Sequence, residues 1–331
     1  MNIRILILAG MTLVFFLLNI FFGSVHIPFV EVLDAILHPA DSSSASIVTA
    51  SRFPAAVTAL LSGAALAASG LLLQTAFRNP LAGPSILGIS SGANLGVAIV
   101  MLALGGTVTA GIHTWSGHLA VVVAALAGSL LVMFLLLLFS SLLKNGLMLL
   151  ITGIMMGYIT SSAISLLNFL ASVENIQSFV LWGMGSFNSV SLQHLPLFSV
   201  LCVSGLILAL LLTKPLNAML LGESYAANLG VNMQLVRNLL LLATGLLTAV
   251  VTAYCGPVTF LGLATPHVAF LLLGTSNHRS LLPATMLMGA LLALLCNLLC
   301  NLPSVTVLPL NAITPLLGAP VILYIIMRRK A

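Results

Sequence analysis

Ten apolar stretches follow one another along this chain, at about 5–23, 51–73, 86–105, 118–140, 147–170, 195–213, 238–256, 258–275, 281–300 and 307–327. No Asp, Glu, Lys or Arg lies in the middle of any of them. A bilayer crossing needs about 20 apolar residues, so the pattern makes lipid the solvent. Composition agrees: 5% of the 331 residues are charged and 60% are hydrophobic, whereas a soluble domain carries about 25% charged residues. That balance excludes a water-soluble enzyme. Ten Lys and Arg spread over the whole chain make no basic patch, which excludes a nucleic-acid binder. The expectation is an all-α integral membrane protein, one polytopic domain over 1–331, with about ten transmembrane helices.

The few charges orient it. Lys and Arg accumulate in cytoplasmic loops. With the N-terminus inside, Arg4, Arg78, Lys144, Lys214, Arg237, Arg279 and the tail Arg328-Arg329-Lys330 all fall inside, and only Arg52 falls outside. Nine of ten basic residues agree, and both termini are then cytoplasmic. The run from Ile5 to Phe22 after Arg4 could pass for a signal peptide, but Gly23-Ser24-Val25-His26 offers no small-residue cleavage site. It reads as an uncleaved first helix. Pro28 through Leu37 suits a short interfacial helix in the longest outer loop, and 214–237 is the one inside loop of size.

Several chemistries are missing. Cys202, Cys255, Cys296 and Cys300 all fall in expected spans and read as buried thiols. The histidines (His26, His38, His113, His118 and His194 outside, His267 in a span, His278 inside) show no metal-binding spacing, so no metal site is assigned. Ion-coupled carriers usually need ionisable groups inside the membrane, and these spans lack them, which argues against a proton-driven carrier and leaves open sodium sites built from carbonyls. All three lysines follow a non-glycine residue, so the chain has no phosphate-binding loop of the G-x-x-x-x-G-K-[ST] kind. A many-helix pore without an energy source suggests a channel or self-contained carrier, or a permease driven by a separate subunit. Small residues recur at four-residue spacing in Ser62 to Gly70, at Gly88, Gly92 and Gly96, and at Gly153 and Gly157. They read as close helix contacts or as the lining of a wide path. Pro257 and Pro266 should break or kink the eighth span.

In this setting Arg52-Phe53-Pro54, Leu60-Leu61-Ser62-Gly63-Ala64-Ala65, Arg78-Asn79-Pro80-Leu81-Ala82 and Leu87-Gly88-Ile89-Ser90-Ser91-Gly92-Ala93 follow in order. So do Trp182-Gly183-Met184-Gly185-Ser186, Leu221-Gly222-Glu223, Leu229-Gly230-Val231-Asn232, Gly256-Pro257-Val258-Thr259-Phe260, Thr265-Pro266-His267 and Leu317-Gly318-Ala319-Pro320. Together they resemble the FecCD/BtuC-like permeases of type II ABC importers, which carry iron–siderophores, haem or vitamin B12. The resemblance implies a ten-helix permease fold in the bacterial cytoplasmic membrane, surrounded by lipid, working as a homodimer. It implies two ATP-binding subunits on the cytoplasmic face, and a periplasmic or lipid-anchored substrate-binding protein outside. ATP and magnesium would sit on the partner ATPase, leaving this chain without cofactors or catalytic residues.

The resemblance also assigns roles. Gly153, Gly157, Thr160, Ser161 and Ser165 would line the translocation path. Asn145, Gly146 and Leu147 would form the inner gate. Leu221, Gly222, Glu223, Ala226, Leu229, Gly230 and Val231, within 214–237, would couple to the ATPase. Departures from the family pattern concentrate outside. Arg52-Phe53-Pro54-Ala55 lacks a second arginine, Cys296 to Asn301 lacks an Asp and an Arg, and Leu308-Pro309-Leu310-Asn311 replaces an acidic motif. Arg52 is left as the candidate for binding-protein docking. Rim ion pairs contribute only about 0–1 kcal/mol each, so docking is expected to rest on more neutral contacts.

Overall fold

The computed structural model describes residues 3–37, 43–105, 107–110, 113–143, 146–302 and 307–329. Its helices in chain order are α1 (Ile3–Phe21), α2 (Phe29–Leu37), α3 (Ser43–Ile47), α4 (Phe53–Ala76), α5 (Ile89–Ala98), α6 (His118–Leu142), α7 (Gly146–Leu170), α8 (Val173–Gly183), α9 (Leu195–Leu211), α10 (Thr213–Leu220), α11 (Glu223–Asn228), α12 (Met233–Cys255), α13 (Leu261–Leu273), α14 (His278–Asn301) and α15 (Leu310–Arg329). π-helical turns at Val48–Arg52 and Ile99–Ala103 prolong α3 into α4 and extend α5. The departure from helix among the described residues is an antiparallel hairpin pairing Thr107–Ala110 with His113–Ser116.

Local chemistry sets many of these ends. Pro196 sits in the first turn of α9, where the missing N–H costs nothing, and Pro54 directly follows the π-turn that joins α3 to α4. Ser172, Asn232 and Asn277 cap α8, α12 and α14 by accepting from the backbone N–H of Asn175, Leu235 and Arg279. The interfacial helix expected at 28–37 is α2.

Ten apolar elements stand where the sequence places its ten stretches, and they differ in length. Among the described residues, six are by length and composition apolar enough to cross a membrane alone, and α9 with α10 makes a seventh if that pair, bent by 46°, counts as one. Ile89–Ala103, Leu261–Leu273 and Leu310–Leu323 are shorter apolar helices. The bend after α9 falls at Leu212, where Pro215 cannot donate to the Leu211 carbonyl one turn earlier. The eighth stretch breaks at 256–260 rather than at Pro266, which α13 keeps inside its helix. Gly256 (φ 76°) and Phe260 (φ 67°) turn the backbone there.

The core is built on α4, which packs against α14, α12, α13 and α9. Small residues make this possible. A Cβ added at Gly63 would collide with the Gly289 carbonyl and come within 2.6 Å of Ala293 Cβ; one at Gly70 would collide with the Gly262 carbonyl. Gly92 and Gly96 of α5 meet Gly128 and Ala124 of α6 in the same way. In lipid such close approach supplies van der Waals attraction where no hydrophobic force acts between helices.

Candidate functional site at the basic face

Between α9 and α12 the chain forms an arm on the face that carries most of the basic residues. On α10, Leu216 and Met219 are buried, and their burial holds the arm against the bundle. Gly222 then adopts φ 123°, closed to side chains, and a Cβ there would stand 3.2 Å from Arg78 Nη2. Arg78 itself takes φ 47° and donates from Nη2 to the Met219 carbonyl at 3.3 Å. The short α11 begins at Glu223, buries Ala226 completely, and leaves Leu221, Tyr225 and Leu229 exposed. It ends in a Schellman turn. Val231 N–H donates to Ala226 O and Gly230 N–H to Ala227 O, with Gly230 at φ 84°. Val231 then packs on the core. The seven residues expected to couple thus form one turn–helix–turn, with leucines and a tyrosine turned outward.

Two arginines tie this arm to the rest. Besides Arg78, Arg237 at the start of α12 pairs through Nη2 with Glu223 Oε2 at 3.6 Å and donates from Nη1 at 3.1 Å to the carbonyl of Leu143, the residue after α6. A cavity of about 550 Å³ lies in this corner, lined by Phe77, Arg78, Leu147, Leu221, Glu223 and Tyr225. Of the expected inner gate, Leu147 is exposed and borders this cavity, Gly146 opens α7, and Asn145 lies outside the described residues. Sequence reading placed Arg78 and Arg237 only as markers of the inner face. The available signal was their position just beyond the ends of long apolar helices.

The five expected path residues split between two faces of α7. Gly153 is buried against Leu87, whose Cα would stand 2.9 Å from an added Cβ. Gly157 faces Ser91. Thr160 is buried, and its Oγ1 donates to Gly157 O at 2.9 Å. Ser161 and Ser165 lie on the open face, beside Tyr158 and Phe169, and Ser165 Oγ donates to Ser161 O. So Gly153, Gly157 and Thr160 are packing positions in a single chain, and the serines are available to a path.

At the opposite end, Arg52 is not presented at the rim. It is 7% exposed. Its Nη1 donates to Ile20 O at 3.1 Å and Phe21 O at 2.8 Å, and its Nη2 to Val25 O. The last carbonyls of a helix have no intrahelical partner, and in lipid a cation is the natural cap. Arg4 does the same for α13, donating to Leu272 O at 2.7 Å. Where the family pattern has charges near the outer end of α14, Asn297 donates to Asn19 Oδ1 at 2.8 Å, Asn301 to Asn297 Oδ1 at 3.1 Å, and Asn188 to Asn301 Oδ1 at 3.0 Å. Asn311 knits the outer ends of three elements. Its Nδ2 donates to Gly183 O at 2.9 Å and to Pro257 O, and its Oδ1 accepts from Thr259.

His118 and His194 approach each other outside, with ring centroids 6.0 Å apart over Tyr254. Among the described residues no group of three His, Cys, Asp or Glu is placed to hold a metal ion. The four cysteines are buried and free.

Comparison with known proteins agrees with this geometry. A vitamin B12 import system permease protein BtuC of Klebsiella pneumoniae subsp. pneumoniae is 37% identical over 284 residues, covering 84% of this chain and 82% of that protein. The protein of the same name from Salmonella typhi is 36% identical over 279 residues, with the same coverage. A solved inward-facing conformation of a metal-chelate type ABC transporter superposes with a TM-score of 0.85 at 30% identity, covering 98% of both chains. Residues 11–328 match the FecCD transport family, and the chain, a multi-pass membrane permease, belongs to it.

Proposed function

We propose that this chain is the membrane-spanning subunit of a binding-protein-dependent ABC importer in a bacterial cytoplasmic membrane, moving a metal chelate inward. The observation that carries this reading is the arm. Leu221, Tyr225 and Leu229 offer an apolar surface on the basic face, and the arm is wired through Arg237 to the end of α6 at Leu143. An exposed apolar patch rimmed by polar residues suits a protein partner, and an ATP-hydrolysing subunit is the partner a permease without its own nucleotide site requires. Two copies of the chain would meet across the open face of α7, with two ATPase subunits on their arms. Ser161 and Ser165 would then face a wide, weakly polar path, which a large chelate can traverse without being held.

Cobalamin is the first chelate to try, because the related proteins above are vitamin B12 permeases. Ferric siderophores and haem are the other members of the class. The Arg52 geometry supports docking of the binding protein through neutral contacts, which steep loss of complex formation with added salt would contradict. The test of function is reconstitution into liposomes. Uptake of cobalamin, a ferric siderophore or haem that needs the partner ATPase, the binding protein and ATP supports the reading. Uptake by the purified chain alone would make it a self-contained carrier or channel.

A further inference from the structure

The arm is joined to the bundle through a third contact, a buried histidine that belongs to neither the exposed docking surface nor the path. His278, the first residue of α14, is 1% exposed. Its backbone N–H donates to Asn217 Oδ1 at 2.8 Å, and its Nδ1 lies 3.0 Å from the same oxygen. Because the backbone N–H can only donate, the atom facing both groups must be the oxygen of Asn217, so Nδ1 carries the ring proton. The neutral ring then leaves Nε2 as an acceptor, and Thr75 Oγ1 donates to it at 2.8 Å. Asn217 uses its amide to donate to Asn277 Oδ1 at 3.0 Å. One side chain thus bonds the middle of α10 to the last turn of α4 at the very start of α14.

We propose that His278 is a positioning residue that makes the arm and the α4–α14 pair one mechanical body, so that movement of a docked ATPase is delivered to the transport helices. This rests on the reading of the arm as an ATPase dock. Without the His278 side chain, α10 keeps Arg78, the bonds of Asn217 to Asn277 Oδ1 and to the His278 backbone N–H, and the apolar contacts of Leu216 and Met219, and none of these joins it to Thr75. With that side chain, a displacement of α10 must displace Thr75. α4 and α14 cannot shear past each other freely, since Gly63 and Gly289 bring their backbones into contact. Three residues beyond Thr75 stands Arg78, and the segment from there ends at Gly88, where a Cβ would come within 2.8 Å of Gly153 O on α7. The route from dock to path helix is therefore continuous. It runs from Asn217 through His278 to Thr75, along 79–88, and onto α7 at Gly153. Thr75, Asn217 and His278 reach each other from positions far apart in sequence.

The test uses the full chain in lipid nanodiscs. Spin labels are placed by Leu81→Cys on the segment after α4 and Lys214→Cys on α10, both exposed sites, while the four native cysteines are buried. With the labelled chain diluted into unlabelled chain, so that only the pair within one copy is read, the parent should show one narrow label–label distance. Thr75→Val should broaden it, Thr75→Ser should restore it, and adding Thr75→Val to His278→Ala should broaden it no further than His278→Ala alone. An unchanged distribution in Thr75→Val overturns the proposal. Thr75→Val keeps the His278–Asn217 half intact, so it remains informative if His278→Ala folds poorly. In the complex with the ATPase, Thr75→Val should continue to hydrolyse ATP while substrate moved per ATP falls about fivefold or more, the lower range of allosteric coupling. Uptake and hydrolysis falling in proportion, or neither changing, also overturns it. If the parent chain recruits no ATPase, the functional reading fails, and the label distances still decide the fate of the clamp.

Discussion

α4 and α7 are nearly equal in mean hydropathy, yet 83% of the apolar window that includes α4 is buried within the chain, against 22% for α7. Hydropathy assigns both to lipid and says nothing about which is inside the bundle. Side-chain size decides that. From Ser62 to Gly70, α4 offers almost only Ala, Ser, Gly and Leu, so four other helices can approach it. On α7 the small residues divide: Gly153 and Gly157 pack on the segment leading into α5 and on α5 itself, while Ser161 and Ser165 look outward among Tyr158, Ile159 and Phe169. One helix is a fixed post, the other a wall with one side unused by its own chain.

The largest effect should come from filling the post. Gly63→Leu drives a side chain into the Gly289 backbone, which has no room to yield. Overpacking costs about 1–3 kcal/mol where neighbours can relax and more where they cannot, so folded yield and thermal midpoint in detergent should collapse. Survival of Gly63→Leu with a parental midpoint would remove the distinction between the two helices.

Arg52→Ala comes next. It strips three carbonyls around the end of α1 of a charged donor, and bonds from charged groups contribute about 1.5–3 kcal/mol each when buried. A loss of about 4 kcal/mol or more in unfolding free energy is expected. Unchanged stability with lost binding-protein docking would return Arg52 to the rim. Smallest should be Ser165→Leu, which adds a large side chain to the open face of α7 and should shift stability by no more than about 0.5 kcal/mol. Transport should nevertheless fall, measured as uptake in the reconstituted complex. A large stability loss would mean that this face is packed in a way one chain does not show.

Much of this arrangement is legible in the sequence because lipid imposes a coarse rule on it. Apolar runs mark the ten elements, and the charge pattern assigns nine of ten basic residues to one expected face. The crowding around α4 follows from its run of small residues. What the pattern hides is which partner a lone polar group finds. Arg4, Arg52, Arg78 and Arg237 each cap carbonyls of a chain segment distant in sequence, and a charge count cannot reveal that. The asparagines at 297, 301 and 311 read only as departures from a family pattern, because their bonds run to Asn19, Asn188 and Thr259 across the fold. The shortness of α13 was half visible: prolines announced a break, but the positive φ values that set it belong to Gly256 and Phe260.

The central claim is that the open face of α7 borders a water-filled path between two copies of the chain rather than lipid. A single Ser165→Cys, with the native cysteines buried, tests it in intact membranes. The account predicts rapid reaction with a membrane-impermeant maleimide and formation of a cross-linked dimer with a short bifunctional maleimide, while Ser62→Cys on α4 does neither. A Ser165→Cys thiol that is inert to both reagents would place that face in lipid and contradict the account.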